Sequence, residues 1–187
     1  MSPRVGLNLE MIIKTAAEMA DKEGIETVTL ASLARKLNVR SPSLFNHISG
    51  LPNLKRELSL YGLKLLYESL AIATEEKEED EAIIAMANAY LLFSREHPGI
   101  YELTLRAHDP NDQEMDQASS RILHLISSIL ADYHLNDEET IHAIRGFRSI
   151  LHGYSSLEQK GAFGMPVKLE DSFHLLLEGY ISFLRKK

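Results

Sequence analysis

Apolar residues recur three and four positions apart along nearly the whole chain, and the six prolines, at positions 3, 42, 52, 98, 110 and 166, stand at the edges of these runs or between them. That period suits helices, whereas strands need alternation, and proline is tolerated at helix starts and in loops. The reading is all-α, with about nine helices expected at Leu9–Lys22, Leu30–Leu37, Pro42–Ile48, Pro52–Thr74, Asp80–Glu96, Gly99–Ala107, Asn111–Tyr133, Asp137–Lys160 and Leu169–Arg185. Several ends carry their own chemistry. Gly24 suits a helix stop, Thr29 an N-cap, and Ser41 before Pro42 an N-cap with proline at the first helical position. The acidic start Asn136 to Glu139 and the basic finish Arg185 to Lys187 complement helix dipoles.

With 44% hydrophobic residues, 25% charged and no run of about 18 apolar positions, the composition is that of a globular chain rather than a disordered or membrane-spanning one. The first residues do not read as a secretory signal, and the absence of cysteine gives no disulfide framework, so a cytoplasmic location is expected. The acidic run from Glu75 to Glu81 reads as a solvated helix junction. The net charge of −7 hides an asymmetry: residues 1–56 carry eight Lys/Arg against five acids, net +3, while the remainder is net −10. Phosphate binding is local neutralisation, so any polyanion contact belongs to the basic head.

In that head Leu30, Leu33, Ala34 and Leu37 make one helical stripe, Asn38 and Val39 interrupt it, and Leu44 and Ile48 face the same core from a second short helix. Ile12, Ile13, Ala16, Met19 and Ala20 supply a third side. Ser41, Pro42, Ser43, Asn46 and His47 are left pointing outward, with Phe45 at the edge. Two short helices and a tight turn, the second exposing hydrogen-bonding side chains, form the element that enters a major groove. Spacing alone also allows any three-helix packing element with a polar outer face.

The run ETVTLASLARKLNVRSPSLFNHISGLPNL, from Glu26 to Leu54, resembles the DNA-binding domain of the TetR family: Thr-x-x-x-Leu-Ala-x-x-Leu-x-Val, then small-Leu-aromatic-x-His-apolar. The resemblance implies an N-terminal helix-turn-helix domain at 1–51 and a helical regulatory and dimerisation domain at 52–187. It implies that Ser41, Pro42, Ser43, Asn46 and His47 lie in the groove, with Thr29, Arg40 and Phe45 near phosphates. Phe45 stands where the family has Tyr, and Leu51 where it commonly has Lys. Lys55, Arg56 and Arg4 are the cations available to compensate, Arg4 by reaching toward the minor groove.

In the acidic body, Phe173, Leu176, Leu177, Tyr180 and Leu184 form one stripe on the last helix. The helix before it is apolar on two sides, Ile144, Phe147, Leu151 and Tyr154 on one and Gly146, Ile150, Gly153 and Leu157 on the other. A helix apolar on two sides must be covered twice, and a second protomer meeting the last two helices is the expected cover, an internal core being the alternative. HPGIYELTL from His97 and RSILHGYSSLEQKGAF from Arg148 resemble the C-terminal domain of a TetR subfamily with a Trp-His-Gly signature, here Leu151-His152-Gly153. Tyr90, Phe93, Tyr101, Phe147 and His152, part of a wider set with His108, His124, His142 and Tyr154, are the candidate lining of a small-molecule site, although core packing would look the same in sequence. No cofactor and no metal are expected; His142 and Glu138 are one turn apart without further ligands. A nucleophile elbow, a phosphate loop and an HExxH pair are absent. The expected function is therefore a DNA-binding regulator, a repressor released from an inverted-repeat operator by a ligand, with a helical enzyme or protein-binding adaptor as the alternative.

Overall fold

Asn8 begins the first helix: in the computed structural model its side chain accepts the Met11 N–H at 2.8 Å, and α1 runs Leu9–Glu23 until Gly24 leaves helical geometry at φ 88°. A short 3-10 turn, Ile25–Thr27, leads to α2 (Leu30–Lys36), α3 (Ser41–Leu44) and the long α4 (Leu51–Thr74). Then come α5 (Glu79–Glu96), α6 (Pro98–Thr104), α7 (Gln113–Leu130), α8 (Asp137–Gln159) and α9 (Leu169–Arg185), with a 3-10 turn at Ala131–Tyr133. The structure describes residues 6–105 and 109–185; among these there is no strand. Arg4, Arg106 to His108, Lys186 and Lys187 lie outside the described residues.

Helix starts follow capping chemistry. Thr29 and Ser32 close a box before α2: the Ser32 N–H donates to the Thr29 hydroxyl at 3.0 Å, and the Thr29 N–H donates to the Ser32 hydroxyl at 2.9 Å. Asn136 and Glu139 do the same for α8, at 2.9 Å and 3.2 Å. The α2 helix stops where Asn38 turns left-handed at φ 54°, the Val39 N–H reaching back to the Ala34 carbonyl and Asn38 to Arg35. Asparagine tolerates that conformation better than most residues.

Contacts divide the chain into two units, one of Met1–Leu65 and Glu96–Met115, the other of Leu66–Arg95 and Asp116–Lys187. The first is built on Ile12, Ala16 and Ala20 of α1, Leu33 and Ala34 of α2, Leu44, Ile48, and Leu54 and Leu58 of α4. Ile100 and Leu103 of α6 belong to the same core. The junction of α6 with α1 is close. A Cβ on Gly99 would fall 2.1 Å from the Ala20 carbonyl oxygen, so only glycine permits this approach. The side chain of His97, at the N-cap of α6, makes no capping bond to that helix. Instead Asp21 of α1 accepts the N–H groups of Gly99 and Ile100 at 3.0 and 2.9 Å and pairs with His97 Nδ1 at 2.9 Å.

In the second unit α8 and α9 pack through aromatic rings. Phe147 stacks on Tyr180 with centroids 5.2 Å apart, and Tyr154 meets Phe173 at 4.8 Å. The hydroxyl of Tyr180 donates to the Ala143 carbonyl at 2.9 Å and that of Tyr154 to the Leu169 carbonyl. Burial away from water pushes the Tyr180 phenol upward from its ordinary range. Arg95 forms two bonds to Glu158, and Asp80 joins Tyr133 to Arg185. No helix among the described residues is long and apolar enough to cross a membrane.

Candidate nucleic-acid interface

The outward face of the helix-turn-helix is set by two buried residues. Leu44 is 0% exposed and Ile48 2%, which turns Phe45, Asn46 and His47 to solvent, Phe45 with 56% of its surface free. An aromatic ring left so exposed on a small polar face is available to a partner. Pro42 and Arg40 are exposed and Ser41 and Ser43 half-buried, so between Arg40 and His47 the hydrogen-bonding side chains Arg40, Ser41, Ser43, Asn46 and His47 reach the surface beside the apolar Pro42 and Phe45, with Leu44 turned inward.

The second helix of the motif begins one residue earlier than the proline predicts and ends sooner. Arg40 occupies the N-cap with extended geometry, Ser41 is the first helical residue, and the Ser43 N–H closes the turn on the Arg40 carbonyl at 2.8 Å. After Leu44 the ladder tightens: Phe45 bonds back to Pro42 and His47 to Leu44, three residues each, although Ile48 still reaches Leu44. Asn46 and His47 therefore stand on the closing turn rather than in a regular helix running to Ile48.

The flanking cations divide. Arg35 and Lys36, in the last turn of α2, are exposed, and sequence reasoning passed over them because they look like any solvated pair after an apolar stripe. Lys55 is half-buried, its ammonium 3.9 Å from the Glu26 carboxylate. Arg56 is engaged elsewhere: its Nε and Nη2 meet both carboxylate oxygens of Asp112 at 2.5 and 2.7 Å, and Nη2 also meets Glu114 at 2.6 Å. Glu57 takes Nη1 at 3.1 Å. A guanidinium forked onto one carboxylate and shared with two more is held by the protein, so the expectation that Arg56 serves as a phosphate anchor is replaced by a structural role. The same bonds hold the Asp112 carboxyl at about 2, below its ordinary value. Thr29 is exposed with its hydroxyl already capping α2. Leu51 packs against the head core.

The five aromatic and imidazole candidates of the body have different surroundings. Phe147 is fully buried under its Tyr180 stack, Phe93 is 3% exposed, Tyr90 is half-buried, and His152 lies exposed on α8. Tyr101 is 2% exposed within the first unit. The second unit contains a cavity of about 210 Å³ lined by Asn88, Leu91, Arg95, Glu170, Phe173, His174 and Leu177. Another, of about 160 Å³, is lined by Leu135, Glu139, His142 and Phe183. None of the five candidates lines either one. His142 sits 3.7 Å from Glu138 as an exposed pair on one helix turn.

Residues 83–180 match the family described as Tetracyclin repressor-like, C-terminal domain. The HTH-type transcriptional regulator YobS of Bacillus subtilis is 40% identical over 186 residues, covering 98% of this chain and 96% of its own. In fold the chain is similar to a protein from Rhodococcus sp. RHA1, with a TM-score of 0.85, 18% identity and coverage of 99% and 100%. It is also similar to a TetR variant from Acinetobacter baumannii solved with minocycline, with a TM-score of 0.73, 17% identity and coverage of 97% and 98%. The exposed reading face on a buried three-helix core and the relatedness over nearly the full length lead to one assignment: the chain belongs to the TetR family of DNA-binding transcriptional regulators.

Proposed function

We infer that the chain is a dimeric cytoplasmic repressor that reads an inverted-repeat operator with the surface from Arg40 to His47 and releases it when a small molecule binds the second unit. The observation that carries this reading is the pair Leu44 and Ile48, buried so that Phe45, Asn46 and His47 face solvent together. Asn46 and His47 offer donors and acceptors suited to base edges, while Arg40, Lys55, Arg35 and Lys36 are cations for the phosphates on either side. Phe45 supplies an apolar contact in place of a phenol hydroxyl. A short reading helix covers only a few base pairs, so two are needed, and the outward apolar residues Ile141 and Leu157 of α8 and Leu175, Leu176 and Phe183 of α9 are the surface that a second copy would cover.

Release by a ligand is supported by the size of the second unit and by the fold shared with a regulator solved with minocycline. The effector is proposed to bind within the second unit, in the region of Tyr90, Phe93, Phe147 and His152, which line neither the cavity of about 210 Å³ nor that of about 160 Å³. Linkage sets the requirement: a thousandfold preference for the non-binding arrangement supplies about 4 kcal/mol against operator affinity. Thermal-shift hits added to the operator complex test it, and hits that stabilise the protein while leaving operator affinity unchanged would refute ligand release.

The base-reading assignment is tested by Asn46→Ala and His47→Ala, each expected to weaken a selected site by about 1 to 3 kcal/mol while scarcely changing random duplex. Lys55→Ala should weaken both alike and flatten the salt dependence. Equal losses on both DNAs from Asn46→Ala would remove it from base readout.

A further inference from the structure

Two helices of the second unit carry matched spacing. Asn88, Leu91 and Arg95 stand at i, i+3 and i+7 on α5, and Glu170, Phe173, His174 and Leu177 at i, i+3, i+4 and i+7 on α9, so each set occupies one helix face. The two faces line the cavity of about 210 Å³. Its floor is apolar: Leu91, Phe173 and Leu177 are 3%, 4% and 1% exposed. Its rim is polar, since Asn88, Arg95, Glu170 and His174 are all exposed. Packed interiors leave few voids larger than a water molecule, so a hollow of this size is room that the chain's own side chains have not filled. An apolar cavity of about 150 Å³ holds benzene. The larger volume here takes one ring with a short polar arm, and is too small for a drug-sized body.

The charges at the rim choose the arm. Arg95 alone would draw an anion, but its Nε and Nη2 are already forked onto Glu158 at 2.9 and 2.7 Å. The Glu158 bonds first, and then the nearby charge of Glu170, raise the guanidinium above its ordinary range. His174 brings a third carboxylate, that of Glu178, 3.2 Å from its Nε2. Even with His174 protonated the set holds two cations against three carboxylates, so the rim carries an excess of negative charge. Lys168 and Asp171, exposed near Glu170 in the chain, offset each other. An organic anion therefore meets net repulsion, whereas an ammonium group meets the Glu170 carboxylate with the apolar floor one ring away. We propose that this α5–α9 cavity binds a small organic cation, a primary amine on a single ring, with its ammonium on Glu170 and its ring among Leu91, Phe173 and Leu177. The site is separate from the region of Tyr90, Phe93, Phe147 and His152, and its occupancy does not depend on whether DNA is released.

Three probes of one ring each separate the charges: 2-phenylethylamine as the cation, 2-phenylethanol as its neutral counterpart and phenylacetate as the anion. Each is titrated into the full chain at neutral pH and fixed ionic strength, with binding read by ligand-observed saturation-transfer NMR. The amine should bind saturably with a Kd of about 1 mM or tighter, the alcohol more weakly and phenylacetate most weakly. Glu170→Gln should weaken the amine by roughly fivefold, about the most that an exposed ion pair contributes, and leave the alcohol unchanged. Glu170→Lys should reverse the order, so that phenylacetate binds more tightly than the amine. Glu18→Gln removes one charge from α1 and should change none of the three, and circular dichroism should show the same helical content in every variant. No saturable binding by any probe would overturn the site. Equal binding of amine and alcohol to the parent, or amine binding undiminished in Glu170→Gln, would overturn the assignment of the charge. An equal loss from Glu18→Gln would reduce the attraction to the overall charge of the chain and overturn the site as well.

Discussion

Replacing Asp21 by alanine removes a side chain of α1 that caps α6. The carboxylate accepts two backbone N–H groups, at 3.0 Å from Gly99 and 2.9 Å from Ile100, and meets His97 Nδ1 at 2.9 Å, while 14% of its side chain remains exposed. The His97 side chain supplies no capping bond in its place. Losing a helix cap costs about 1 kcal/mol, and hydrogen bonds to a charged acceptor are worth about 1.5 to 3 kcal/mol each, less whatever water recovers at a site not fully closed. Asp21→Ala should therefore destabilise the first unit by about 2 to 4 kcal/mol. Asp21→Asn keeps an oxygen for the two amides but gives up the charge, and should cost about 1 kcal/mol. Because Ile100 and Leu103 lie in the same core as Leu33 and Leu44, the loss should also appear as weaker DNA binding near the unfolding temperature. Urea unfolding followed by circular dichroism and tyrosine fluorescence reads the stability, and hydrogen exchange at Gly99 and Ile100 reads the cap itself. Asp21→Ala unfolding within about 0.5 kcal/mol of the parent, the scatter of an ordinary surface change, with unchanged exchange at those amides, would refute the reasoning.

Two further outcomes follow from the same unit. Gly99→Ala would place a methyl 2.1 Å from the Ala20 carbonyl oxygen and 2.8 Å from the Asp21 nitrogen, both backbone, so α6 must shift; a loss of at least about 2 kcal/mol in urea unfolding is expected, and a neutral result would contradict the close approach. Asp112, held at about 2 by Arg56, is ionised more readily folded than unfolded, so its contribution to stability is complete above its ordinary value of 3.8 and is lost as pH falls through about 2. The stability gap between the parent and Asp112→Asn should accordingly narrow from pH 5 down to pH 2, and a gap constant over that window would show that the Arg56 bonds are not its source.

The helices were legible because each carries its own signal. Thr29 with Ser32 and Asn136 with Glu139 are local capping pairs, and the stripe Leu30, Leu33, Ala34 and Leu37 points to a core wherever that core lies. The outward set Phe45, Asn46 and His47 was legible for the same reason, since Leu44 and Ile48 fix its orientation by spacing alone. Long-range partners leave no such trace. Arg56 reads as a free cation beside a basic head, yet two of its three carboxylates come 56 and 58 residues later, and Asp21 finds its amides 78 and 79 residues away. The early finish of α3 was also hidden, because bonds to the third residue back and to the fourth need the same apolar spacing at Leu44 and Ile48.

The proposed mode of action has two copies of this chain reading DNA through the surface from Arg40 to His47. Selection of bound sequences from a random duplex pool, with the parent protein and Asn46→Ala in parallel, tests it most directly. The predicted result is an inverted repeat for the parent, its half-sites separated by about one helical turn, 10 to 10.5 bp, or a multiple of it, with the preference relaxed at one position in each half by Asn46→Ala. Enriched sequences without a dyad, no enrichment at all, or the same preference from both proteins would contradict it.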